Sequence, residues 1–299
     1  MNGHLTGRPM PQIDIYGSYK KSLSLDQKIK AARLSVDDAI REHSPVVVAV
    51  GVSGGTDSIA TAHVVLEHLR DNEVKSVALH INTGIGIPAT RTFVRDVCAK
   101  MKWQLLEYHA DDQGESYEDL VLERGFPGPF MHRKMYNRLK ERSIEAFVRE
   151  HKESRMDRVL ICTGIRAEES SRRMGINKRI DRRGAQVWLN PILDWTGQDK
   201  HDYTTRHNLP VNPVHKKIGM SGECLCGAYA HKGELDLVRL VCPATAERIE
   251  KLQERVMERH PWQWDDPGPP DWHRLEQEGQ RNLGDDFRPM CVGCAKRSE

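Results

Sequence analysis

The stretch Val46-Val47-Val48-Ala49-Val50-Gly51-Val52-Ser53-Gly54-Gly55-Thr56-Asp57-Ser58 decides the fold. Its first five residues are wholly apolar and mostly β-branched. That composition predicts a short strand covered on both faces, as in a parallel sheet. The glycine pair then lets the backbone turn sharply and present successive N–H groups. Ile59 to Leu69 continues as a helix, whose N-terminus carries unsatisfied donors and a partial positive charge. Ser53 and Ser58 add hydroxyl donors. The whole is a cradle for an anion, with the extent of a pyrophosphate. Asp57 in this pattern either caps the helix or helps to hold Mg²⁺. The Gly-x-x-x-x-Gly-Lys-Ser/Thr phosphate loop is absent.

Outward from this turn the same alternation repeats. Strands are predicted at 77–81, 104–108, 159–162 and 187–189, and helices at 24–43, 89–101, 133–151 and 243–260. Strands alternating with helices predict a doubly wound, mainly parallel α/β sheet. Ligands on such sheets bind beyond the carboxyl ends of the strands. Chemistry is therefore expected in the loops after Val50, Ile81 and Cys162. Residues 1–22 read as a loose arm, 23–215 as the α/β domain, and 216–299 as a Cys-rich extension of helix and loop.

The chain has 299 residues, which at roughly 150 per domain allows two domains. No apolar run approaches the roughly 20 residues needed to span a bilayer. The first residues, Met1 to Pro9, contain no apolar block of the secretory kind. The reading is a cytoplasmic protein without membrane contact. Lys and Arg total 45 against 43 Asp and Glu, so net charge alone says little. Locally it says more. Arg166, Arg172, Arg173, Lys178, Arg179, Arg182 and Arg183 face only Glu168, Glu169 and Asp181 within 166–183. Arg133, Lys134, Arg138, Lys140 and Arg142 add a second basic run. Such surpluses favour a phosphate group or a nucleic-acid backbone. Trp262, Trp264 and Trp272 read as packing residues, with base stacking as the alternative.

Of seven cysteines, Cys98 and Cys162 lie in apolar contexts and read as core residues. Cys224, Cys226, Cys242, Cys291 and Cys294 cluster in the last quarter, which favours a metal over disulfides. Cys224, Cys226, Cys291 and Cys294 form two short pairs that complete a shell for a 4Fe–4S cluster or Zn²⁺. Cys242 is a fifth candidate, as ligand or sulfur carrier, and His231 a possible substitute ligand.

Ser-Gly-Gly-x-Asp-Ser after a buried strand resembles the signature of the PP-loop ATP pyrophosphatases. Two further segments, Asn82-Thr83-Gly84 with Pro88 and Thr90, and Gly164-Ile165-Arg166 with Arg172 and Arg173, resemble the phosphoadenosine phosphosulfate (PAPS) reductase family. The resemblance implies that Ser53, Gly54, Gly55, Thr56, Asp57 and Ser58 hold phosphates. It implies that His80, Asn82, Thr83 and Gly84 lie by adenine and ribose. Gly164, Arg166, Arg172 and Arg173 would face phosphate or sulfate. Many relatives carry Lys where this chain has Thr56, so Arg166 is the expected neutralising charge. The Glu-Cys-Gly-Ile/Leu-His motif of sulfonucleotide reductases is missing, and Glu223-Cys224-Leu225-Cys226 only echoes it. The resemblance therefore favours the ATP-using branch, similar to DNA phosphorothioation and tRNA thiolation enzymes. There Ser53, Asp57 and Arg166 would be catalytic, with ATP and Mg²⁺ bound. A nucleic acid or small molecule would be the acceptor, a cysteine desulfurase the sulfur donor, and a homodimer the assembly. The alternatives are a sulfonucleotide reductase and a non-catalytic nucleotide sensor.

Overall fold

The computed structural model describes residues 23–169 and 178–266. Six strands make one sheet: β1 (Val47–Gly51), β2 (Ser76–Asn82), β3 (Leu105–His109), β4 (Val159–Cys162), β5 (Ile180–Arg183) and β6 (Gln186–Leu189). Their order is β3-β2-β1-β4-β6-β5. Every pairing is parallel except β5 with β6. The predicted doubly wound α/β sheet is thus present. The strand order reverses beside β1, so its carboxyl end opens at the switch point where such sheets take ligands.

Alternation along β1 explains its apolar run. Val48 and Val50 enter a core with α1 (Leu25–His43), α2 (Thr56–His68) and α3 (Pro88–Met101). Val47 and Ala49 face Ile144, Phe147 and Val148 on the other side. Successive strand residues point to opposite faces, and here both faces are covered. Cys98 and Cys162 are core residues as expected, and burial pushes each thiol up to about 12.

The predicted helix 133–151 is a run of three pieces: α5 (His132–Tyr136), a π segment (Asn137–Glu141) and α6 (Arg142–Glu150). Strand β5 was not anticipated, because Ile180-Asp181-Arg182-Arg183 is almost wholly polar. It is an edge strand, joined to β6 through Gly184-Ala185 with Gly184 at φ 62°. Positive φ at the first position suits such a two-residue hairpin turn. The short helices α4 (Tyr117–Arg124), α7 (Gly197–Arg206), α8 (Pro213–Ile218) and α9 (Glu234–Val241) also escaped the periodicity reading. The last described helix, α10 (Pro243–Val256), begins where predicted and ends four residues earlier.

A third core starts where β2 and β3 end. Ile85, Ile87 and Ala110 pack there with Tyr117, Leu120, Val214, Leu225, Ile249 and Trp264. Residues before and after position 215 share this core. Trp264 is buried, donates its indole N–H to the Leu225 carbonyl at 2.7 Å, and fills the space beside Gly227. Trp262 donates to the Phe126 carbonyl at 3.0 Å. Both are packing residues, in this core rather than on the sheet; Trp272 lies outside the described residues. Trp264→Phe leaves the Leu225 carbonyl unsatisfied and is expected to cost about 1–3 kcal/mol. Urea unfolding should show a lower midpoint at unchanged slope; an unmoved midpoint would detach this core from the cooperative unit. No helix among the described residues is long and apolar enough to cross a membrane.

Candidate functional site

The turn after β1 is built from local contacts. Gly54 has φ 77°, a left-handed conformation that glycine adopts without a Cβ penalty. A side chain there would meet Thr90 Cγ2 at 2.9 Å. Ser58 Oγ donates to the Gly55 carbonyl at 2.8 Å and accepts from the Ser53 N–H at 3.2 Å. The two serine hydroxyls stand 3.3 Å apart. Gly55 is the N-cap of α2 and makes no side-chain capping bond. The N–H groups of Thr56, Asp57 and Ser58 therefore lack intrahelical acceptors and point out of the turn. These donors fit an anionic phosphate chain. Asp57 does not cap the helix, contrary to one sequence expectation.

Asp57 instead lies between two cations. Arg166 Nε donates to Asp57 Oδ1 at 2.5 Å, and Lys200 Nζ reaches Oδ2 at 3.2 Å. Arg166 is buried, and its Nη1 also contacts Glu168 Oε2 at 3.0 Å. Arg166 thus stands beside the turn and is paired with both Asp57 and Glu168. Gly164 allows this approach: a Cβ would stand 2.8 Å from the Asp57 carbonyl carbon and oxygen. With both carboxylate oxygens held by cations, Asp57 in this conformation is not a spare ligand for Mg²⁺.

Lys200 was missed by the sequence reading. It sits in α7, whose Gly-Gln-Asp-Lys-His-Asp run has no motif, and 143 residues separate it from Asp57. The Thr196–Asp199 capping box marks only the start of that helix. His215, on α8, is a second unanticipated neighbour. Burial and then the Lys200 charge hold its pKa below the ordinary histidine value. Its Nδ1 is buried with no hydrogen-bond partner among the described residues.

The remaining expected residues lie deeper. His80 is 1% exposed, and its Nδ1 is 2.7 Å from the Val52 carbonyl, directly behind the phosphate turn. Asn82 Oδ1 accepts from the Gly84 N–H at 3.0 Å, and its amide nitrogen is 3.0 Å from His109 Nδ1. Thr83 Oγ1 donates to the Glu223 carbonyl at 2.7 Å. Gly84, at φ 76°, leaves room for the Asp111 carboxylate. His80, Asn82 and Thr83 are thus all buried and spend polar atoms on the fold, whereas Ser53 to Ser58, Gly164 and Arg166 converge at the turn. Arg172 and Arg173 lie outside the described residues. Arg179 is occupied by Asp194 and the Pro191 carbonyl, and Arg183 by Asp181 and the face of Trp188. Arg138 pairs with Glu115, and Arg142 donates to the Gln113 carbonyl.

Cys224 and Cys226 are half-buried on the loop after α8, beside the third core. Burial first, and then the two thiols, raise the Tyr117 hydroxyl well above its ordinary pKa. Tyr117 donates to the Cys226 carbonyl at 3.0 Å. Cys242 is the N-cap residue of α10, with its sulfur 3.0 Å from Thr245 Oγ1. Among the described residues no three His, Cys, Asp or Glu side chains gather as a metal site. Of the four expected ligands, Cys224 and Cys226 share this loop, and Cys291 and Cys294 lie outside the described residues.

A mainly parallel sheet with a glycine turn opening a helix at its switch point defines a doubly wound α/β protein. The phosphoadenosine phosphosulfate reductase domain model matches residues 47–259, and the chain belongs to that family. The chain is 26% identical over 213 residues to a phosphoadenosine 5'-phosphosulfate reductase of Xanthomonas axonopodis pv. citri, covering 70% of this chain and 80% of that one. It is 24% identical over 209 residues to the enzyme of that name from Xylella fastidiosa, covering 69% and 79%. The NMN synthetase of Francisella tularensis shares the fold at a TM-score of 0.50 and 13% identity, covering 83% of this chain and 98% of that one.

Proposed function

We propose that this protein is an adenylating enzyme that cleaves ATP to AMP and pyrophosphate and so activates an acceptor for sulfur transfer. The observation that carries the reading is the uncapped start of α2 with Ser53 and Ser58 on one side and Arg166 and Lys200 on the other. An oxygen of the acceptor attacks the α-phosphorus. The bond to the α,β-bridging oxygen breaks, and pyrophosphate leaves with the electron pair. Backbone N–H groups at the turn bind the departing phosphates. Lys200 and Arg166 offset their growing charge, where fixed donors act most strongly. A sulfur nucleophile then displaces AMP from the acceptor.

Cys224 and Cys226, with Cys291 and Cys294, are the residues that would hold a 4Fe–4S cluster or zinc. A cluster held by three of these thiolates would leave one iron open to bind the sulfur that is transferred. The acceptor in this reading is a nucleic acid or a small molecule, and the donor a desulfurase-type protein.

The named relatives favour a second reading, reduction of a sulfonucleotide to sulfite. One assay separates the two. The anaerobically purified protein is given ATP with Mg²⁺, adenylylsulfate, or PAPS with a thiol. AMP and pyrophosphate from ATP, lost in Ser53→Ala and Asp57→Ala, support adenylation. Sulfite from a sulfonucleotide with ATP untouched overturns it. Nucleotide binding with no turnover of any of the three leaves only a sensing role.

A further inference from the structure

A buried polar chain joins the phosphate turn to the cysteine loop. His80 sits between them, 1% exposed, with Nδ1 on the Val52 carbonyl at 2.7 Å. Its Nε2 is 3.3 Å from Glu223 Oε2, and Glu223 is 2% exposed. The pair is close enough to attract but is not aligned as a hydrogen bond, so both atoms lack one among the described residues. Burial disfavours protonation of His80, yet the Glu223 carboxylate outweighs it and raises the ring's pKa. Glu223 immediately precedes Cys224, and Val52 immediately precedes Ser53.

Such a pair is costly to bury unless its geometry serves something. Replacing buried ion pairs by apolar residues is often neutral or stabilising. The surroundings need no charge to hold the two loops together. Thr83 Oγ1 donates to the Glu223 carbonyl, Thr90 Oγ1 to the Ser221 carbonyl at 2.5 Å, and the Ile87 N–H to the Gly222 carbonyl at 2.7 Å. The His80–Glu223 contact is therefore additional to a clamp that already exists. It ends on the Val52 carbonyl, one residue before the turn, whereas Ser221 and Thr90 approach the turn at Gly55 and Gly54 by side-chain packing alone.

We propose that His80 and Glu223 are positioning residues that couple anion occupancy of the phosphate turn to the geometry of the Cys224–Cys226 loop. An anion draws the Ser53–Ser58 turn toward itself, Val52 moves with it, and His80 passes the shift to Glu223. Coupling of this kind is reciprocal, so the state of the cysteine loop also sets affinity at the turn. The inference rests on the turn being an anion site. It does not depend on which bond of a nucleotide is cleaved.

The test is hydrogen–deuterium exchange on the full chain as purified, with and without inorganic pyrophosphate. This probe is not turned over, so failure of ATP cleavage leaves the experiment intact. In the wild type, pyrophosphate should slow exchange at 53–58, and at 219–226 by roughly fivefold or more, the lower range of site-to-site coupling. His80→Phe should keep the first effect and lose most of the second. Because that variant strands a buried carboxylate, the double variant His80→Phe/Glu223→Met serves beside it; it removes the stranded charge, at the cost of the bonds to the Thr83 N–H and the Val52 carbonyl. A merely structural role would lower Tm without changing the pyrophosphate-dependent difference at 219–226. Slowing at 219–226 of wild-type size in both variants would overturn the proposal. So would its absence in the wild type.

Discussion

Lys200→Ala should lower the rate of pyrophosphate release from ATP by about 10²–10³-fold, the usual loss when one preorganised charge or donor is removed from a transition state. Lys200 Nζ lies 3.2 Å from Asp57 Oδ2 at the first turn of α2, where the departing phosphates would gather charge. The side chain is about four-fifths buried, so water screens it poorly. Arg166 stays beside Asp57 in the variant, and the fold should be retained. Lys200→Arg restores the charge on a broader, planar head and should recover only part of the rate. The measurement is initial pyrophosphate release at saturating ATP, with circular dichroism as the control for folding. A loss smaller than about tenfold would remove Lys200 from the chemistry and leave the charge to Arg166.

The second large effect is on stability. A Cβ at Gly86 would stand 2.4 Å from the Glu223 carbonyl oxygen and 3.0 Å from its carbonyl carbon. Both are backbone atoms and cannot rotate aside. Gly86→Ala must therefore push the 219–226 loop away and open the Ile87–Gly222 hydrogen bond. Overpacking of this kind costs about 1–3 kcal/mol, and the rigid neighbours put Gly86→Ala at the upper end. Thermal unfolding should move down by roughly 4–10 °C. An unchanged Tm would mean that this loop does not press on residues 84–87 in solution.

The fate of individual residues shows how far the chain could be read in advance. The five apolar residues from Val46 announced β1, and four more short runs announced β2, β3, β4 and β6. β1 and β4 are buried on both faces, as their apolar runs imply, whereas β3 and β6 are only partly covered. The glycine pair announced the phosphate turn, because only that backbone bends so sharply into a helix start. Periodicity did not disclose β5, whose polar residues belong to an edge, or the short helices α7 and α8. It could not disclose Lys200, since a lysine in a polar helix looks the same whether it faces solvent or Asp57. His80 and Thr83 were expected near nucleotide, and their burial against Val52 and Glu223 is a matter of packing that no local pattern carries.

What the sequence by itself determined is the sheet, its order of strand and helix, and the glycine turn that opens α2 at the end of β1. Those depend on neighbours within a dozen residues, where period and turn chemistry act. What only the tertiary structure decided is the charge around the cradle and its link to the cysteine loop. Asp57 meets Lys200 across 143 residues, and Thr83 meets Glu223 across 140. Contacts at such separation exist only after the chain has folded, because burial, not spacing, brings the two ends together.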